Sequence, residues 1–182
     1  MEYFLFSQDK AMNHVVSLDY RYLPKQLKPD IEIKLTTDIR WSDQAIFEQC
    51  YNFRVISKDS NMYPDYLYQP LPLLSTRMKE IFEAYEQYFS STAAFLSDPV
   101  LKIQEVYWLF AVREQDCLDE SAELFPNRLL KKMVLNKKKI GTRQIFMIDG
   151  LLEKRLVVSL DVAESLLRRS MEGIVLTPVT VV

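Results

Sequence analysis

Residues 143–179 read RQIFMIDGLLEKRLVVSLDVAESLLRRSMEGIVLTPV, and this run decides the fold class. Residues 145–148 form a short apolar stretch, Asp149-Gly150 is a turn signal, and residues 156–158 are a second apolar stretch. Ser159 is placed to cap a helix. Asp161 and Glu164 fall in its first turns and Arg168 and Arg169 at its end, charges that suit the helix dipole. The spacing of Val162, Ala163, Leu166, Leu167 and Met171 predicts the buried stripe of a helix over 160–172, with Gly173 at the C′ position. Residues 174–176 start a last strand, and Pro178 marks its limit or an exposed edge. Strand, turn, strand, helix and strand follow one another with little left over. This is the signature of an α+β chain.

Working towards the N-terminus, the run from Ile103 to Val112 is apolar on both faces, so a central sheet position is expected. Residues 93–96 read as another strand. A helix over about 76–90 is predicted from Met78, Ile81, Phe82, Tyr85 and Phe89, which share one stripe behind a Ser75 or Thr76 cap. "NMYPDYLYQPLPLL", residues 61–74, carries three prolines, which argue against a regular element. "NFRVIS" at 52–57 is a weaker strand, and "DIEIKLTT" at 30–37 alternates as a half-buried one. Residues 3–6 open as a short apolar strand, and 12–30 read as loop with short extended pieces. Residues 130–140 alternate Met133 and Leu135 against Lys132, Val134 and Asn136, which predicts one strand of a hairpin with a solvated lysine face. The whole, residues 1–182, is expected to form one α+β domain with a mostly antiparallel or mixed sheet and two main helices.

Composition mainly excludes. With 48% hydrophobic and 26% charged residues the chain has the make-up of a soluble globular protein. A net charge of −2 supplies no field to attract nucleic acid or an anionic membrane. The longest apolar run, 106–112, is far short of a membrane span. "MEYFLFSQDK" lacks the basic start and small-residue cleavage site of a secretory signal, so a cytoplasmic location is expected. Only three glycines are present, all in the last quarter, too few and too scattered for a phosphate-binding loop.

No residue set points to catalysis, a cofactor or a metal. His14 is the single histidine, so a two-histidine metal site within the chain is excluded. Cys50 and Cys117 fit no zinc or redox spacing and read as free thiols. Cys117 lies among acids, which raise a thiol pKa instead of activating it. Glu114, Asp116, Asp119, Glu120 and Glu123 lack both the ligand spacing and the central glycine of a calcium loop. A solvated acidic loop or a protein-docking patch remains. The cations from Arg128 to Arg143 have no aromatic residues between them, unlike single-strand nucleic-acid platforms. Tyr63, Tyr66 and Tyr68 sit on a proline-stiffened loop, where they are either interface anchors or loop packing.

Several motifs occur in a fixed order over residues 106–179: "VYWLFAVREQDCLDESA" at 106–122, Ile145-Phe146-Met147-Ile148, Gly150-Leu151, Val157-Val158-Ser159, and "GIVLTPV" at 173–179. That order resembles an immunity-protein family of bacterial polymorphic toxin systems, the one numbered eleventh. Leu176 stands where an aromatic residue is common in the family. The resemblance implies a non-enzymatic protein that binds a cognate toxin domain and neutralises it stoichiometrically. It also implies that the tidy C-terminal unit is scaffold and that binding determinants lie in loops. Asp116, Asp119, Glu120 and Glu123 are then candidates to enter a basic toxin cleft, with Tyr63, Tyr66 and Tyr68 as apolar anchors. The alternative is a regulatory domain that binds a small molecule in a pocket lined by tyrosine and phenylalanine. A homodimer stays open.

Overall fold

In the computed structural model, which describes residues 2–28 and 39–182, Leu156 and Val158 point into one apolar cluster and Val157 into another. Period-two alternation thus buries a strand on both faces, and the same logic organises the molecule.

The elements begin with β1 (Tyr3–Gln8), α1 (Gln44–Phe47), β2 (Tyr51–Arg54), β3 (Tyr66–Leu67), β4 (Leu73–Ser75) and α2 (Thr76–Tyr85). The long hairpin β5 (Phe89–Asp98) and β6 (Ile103–Val112) follows, then β7 (Glu114–Gln115), β8 (Glu123–Leu124), β9 (Leu130–Lys132) and β10 (Val134–Leu135). The chain continues with α3 (Lys137–Ile140), β11 (Ile145–Ile148), β12 (Leu156–Ser159), α4 (Leu160–Arg168) and β13 (Ile174–Val181). One sheet has the order β10-β13-β1-β12-β11-β7, a second β2-β5-β6-β4-β3, and β8-β9 forms a separate hairpin. Pairing is antiparallel except for β10–β13, β11–β7 and β2–β5, so both large sheets are mixed. This is an α+β architecture.

The two large sheets share a central cluster. Phe6 and Val158 from one sheet, Leu74, Phe110 and Val112 from the other, and Met78, Phe82, Val162 and Leu166 from the helices meet there. β6 contributes Phe110 and Val112 to this cluster and Tyr107, Leu109 and Ala111 to a second one behind its own sheet. Its expected central place is real, although its first four residues are exposed. A third cluster, with Tyr3, Phe146, Ile148 and Val157, lies on the far face of the first sheet.

Capping follows the sequence closely. The Ser159 hydroxyl accepts the Val162 N–H, and the Ser75 hydroxyl accepts the Met78 N–H. α4 ends in a Schellman arrangement: Ser170 takes φ 50, Ser170 N–H donates to Leu167 O at 3.0 Å, and Met171 N–H donates to Leu166 O at 3.3 Å. Ser170, not Gly173, is therefore the C′ residue. Gly173 (φ +76) serves a different need, because a Cβ there would come within 2.4 Å of Pro64 Cβ.

Other expectations need correction. α2 stops at Tyr85 because Glu86 turns extended (φ −132, ψ 113). Phe89 opens β5, pairs with Val112, and meets Phe82 from the strand side with ring centroids 6.2 Å apart. Leu167 is 64% exposed, because it lies 100° around the helix from Leu166 and off the buried stripe. The proline-rich stretch holds two short strands, β3 and β4, paired to each other. Lys137, Lys138 and Lys139 are on the helix α3, capped by Asn136 and closed by Gly141 at φ 65. The hairpin in this region is β8–β9 instead. β13 runs on through Pro178 to Val181, and β10 pairs with it only at Thr180 and Val181, which leaves the edge at Pro178 open. The expected strand at 30–37 lies outside the described residues.

Candidate functional site

The acidic stretch is not a free negative loop. Asp116 lies 3.3 Å from Lys139 Nζ, Glu123 lies 2.7 Å from Lys131 Nζ, and Glu114 is paired with Lys154. Asp119 accepts the Ser121 N–H and hydroxyl on one oxygen and the Asn136 amide at 3.0 Å on the other. These bonds, the Ser121 N–H first, hold its carboxyl below the usual range. Glu120 is exposed and makes no hydrogen bond or ion pair among the described residues. The acids at 114–123 and the cations of the following segment thus form one mixed-charge surface.

The three tyrosines have separate fates. Tyr66 is 3% exposed, packed against Phe6 and Phe110, and burial pushes its hydroxyl pKa up. It has no surface to offer a partner, so the anchor role expected for it is withdrawn. Tyr63 and Tyr68 are half-buried, and the Tyr68 N–H donates to Gln8 Oε1 at 2.9 Å. The aromatic rings largely face one another: Phe82 and Phe110 meet at 5.7 Å, and Phe89 and Phe110 at 6.0 Å. Phe82 and Phe110 are buried in the core and are spent on packing one another.

Cys117 is fully buried, and burial, with Asp116 adding to it, pushes its thiol up to about 12. Such a thiol is a packing group, not a nucleophile at neutral pH. Among the described residues no cluster of histidine, cysteine and carboxylate side chains is arranged to hold a metal ion. No helix among them is long and apolar enough to cross a membrane.

One open cleft, of about 600 Å³, lies between the end of α2 and the α3–β11 connection. Its shape follows from local chemistry. Glu86 leaves the helix and its carboxylate accepts the Tyr88 N–H at 2.8 Å, which turns Tyr88 towards the opening. On the opposite wall, Gln115 donates its amide to Lys139 O at 2.8 Å and accepts from Arg143 Nε at 2.9 Å. Arg143 Nη1 lies 3.7 Å from the buried Glu86 carboxylate. The guanidinium carbons of Arg113 and Arg143 each lie 4.9 Å from the centre of the Tyr88 ring, which also meets Trp41 edge-on at 5.6 Å. Both contacts are within cation–π range.

Sequence reading missed this constellation. In the sequence Arg143 is one cation in a run, Arg113 is one residue of the 106–122 motif with no role assigned to it, and Tyr88 belongs to no motif. The available signal was positional: Arg113 directly follows one apolar strand and Arg143 shortly precedes another, so both are held at sheet ends. What unites them is strand pairing between segments distant in sequence, through β7 and β11.

The model of a family described as Immunity protein family (Imm11) matches residues 47–181. No curated protein matches the chain.

Proposed function

The chain belongs to this immunity protein family, and on that footing we propose that it binds a cognate toxin domain and neutralises it by stoichiometric association in the cytoplasm, without catalysis. The observation that carries the reading is the family match, which spans both main helices, the whole of the second large sheet and all of the first except β1. The reading is supported by the surface around 113–143. There Arg143 and Tyr88, of residue types that dominate binding hot spots, line a formed concavity, with Trp41 and Arg113 packed on the Tyr88 ring. Asp116 borders this concavity through its ion pair with Lys139, and with Glu120 and Glu123 it is proposed to supply a mixed-charge rim, Asp119 being tied up within its own loop. Such a rim suits partner discrimination and orientation more than raw affinity.

The deciding experiment is co-expression with the C-terminal domain of the toxin encoded beside the gene. Growth is restored, and the two chains copurify in equimolar amounts. A toxin domain that keeps its full activity in the presence of excess purified protein would overturn the reading.

A further inference from the structure

The charges around the cleft do not cancel. Glu83 is held by Lys79 at 2.6 Å, and Lys139 by Asp116 at 3.3 Å, so these two residues are already paired. What remains is two arginines, Arg113 and Arg143, against the single carboxylate of Glu86. Arg143 uses Nε on Gln115, while its Nη1 is 3.7 Å from Glu86, too far for a good hydrogen bond, and its Nη2 makes none among the described residues. Among the described residues the Arg113 guanidinium makes no hydrogen bond or ion pair and lies over the Tyr88 ring. Arg143 brings guanidinium donors to the wall of the cleft and Arg113 reaches it through the Tyr88 ring; with one positive charge in excess, the pair suits one carboxylate.

We propose that this cleft receives an aspartate or glutamate side chain of the toxin domain. The incoming carboxylate takes the two Nη groups of Arg143 end-on, and Arg113 supplies the charge that balances it. Tyr88 holds both guanidiniums in place from its ring, so little side-chain freedom remains to be lost on binding. Glu86 and Gln115 orient Arg143 from behind. The inference rests on the immunity reading and names the chemistry at its contact surface.

The test compares the wild-type protein with Arg113→Ser and Arg143→Gln variants, measuring toxin-domain affinity and dissociation rate, with melting temperature as a folding control. Arg113 is exposed and its side chain makes no hydrogen bond among the described residues, so its variant is expected to stay folded even if Arg143→Gln does not. Each variant is expected to bind at least about tenfold more weakly, mainly through faster dissociation. One acidic residue of the toxin, changed to its amide, is expected to lose the same factor without adding to the Arg143→Gln loss. If the wild-type protein fails to bind the toxin, the immunity reading fails. If it binds and both arginine variants bind equally well, the cleft assignment alone is overturned. It is also overturned if inorganic phosphate or acetate raises the melting temperature through these arginines while toxin affinity is unaffected by their loss.

Discussion

Asp65 and Glu172, 107 positions apart, are joined twice: the Glu172 N–H donates to Asp65 Oδ2 at 2.8 Å, and the Asp65 N–H donates to Glu172 O at 3.1 Å. The same buried carboxylate accepts the Ser75 hydroxyl at 2.5 Å and Arg77 Nη2 at 2.7 Å. One side chain therefore ties the proline-rich loop, the start of α2 and the turn ahead of β13 together.

Removing that carboxylate strands donors in the interior. Asp65→Ala is expected to lower stability by on the order of 1–3 kcal/mol in urea unfolding, the usual loss when hydrogen bonds to a buried charged group disappear. Arg77→Ala removes the mostly exposed partner and is expected to cost less than about 1 kcal/mol. Equal losses would show that the ion pair, not the backbone tie, carries the effect.

Leu166 and Leu167 are neighbours with opposite surroundings, at 0% and 64% exposure. Leu166→Ala should destabilise by about 2–5 kcal/mol, and Leu167→Ala by no more than about 0.5 kcal/mol. Chemical denaturation of the two variants side by side decides it. A reversal would place the buried stripe of α4 one residue further on.

The two thiols differ in the same way. Cys50 is exposed, whereas Cys117 is buried with its pKa pushed up to about 12. A chromogenic disulfide reagent at pH 8 should titrate Cys50 alone in the native protein and both thiols in denaturant. Rapid native reaction of Cys117 in a Cys50→Ser background would show that the β7–β10 region opens readily.

Asp119 makes stability depend on acid. Its folded pKa is depressed, so its contribution is complete above the ordinary aspartate value, about 3.9. That contribution is withdrawn as pH falls from there towards the lower folded value. Wild-type and Asp119→Asn melting temperatures should therefore differ most near neutrality and converge below about pH 4. Asp19, depressed mainly by its bond to Arg21, keeps its own acid dependence in both proteins. A gap that widens on acidification would mean that the Asp119 contacts with Ser121 and Asn136 stabilise its protonated form.

What could be read from the chain follows the range of the forces involved. Ser75 and Ser159 caps, the turn at Gly150 and the two-faced strand β6 are decided by near neighbours, and they stand where periodicity put them. Phe89 fits the helical stripe of α2 as well as any residue on it, and only its pairing with Val112, far along the chain, makes it a strand residue. Within 130–140 the strands β9 and β10 fit the alternation, but Lys137–Ile140 is helical between Asn136 and Gly141, ordinary helix brackets, because alternation over a few residues does not exclude a short helix. The candidate contact surface is the least legible part. Acids that look unopposed in one dimension find lysines in three, and the Tyr88 cluster exists only after both sheets have formed.

β1 lies third in a six-stranded sheet, and both of its partners, β12 and β13, come from the far part of the chain. Ser7 reaches Val175 across 168 positions. During synthesis the early strand must therefore wait beside the ribosome, unpaired, until those late segments emerge. At roughly 5–20 residues per second that wait is on the order of ten to thirty seconds. The six-stranded sheet is therefore completed only once residues 156–181 have been made, whereas every strand of the second large sheet lies within residues 51–112 and is available earlier.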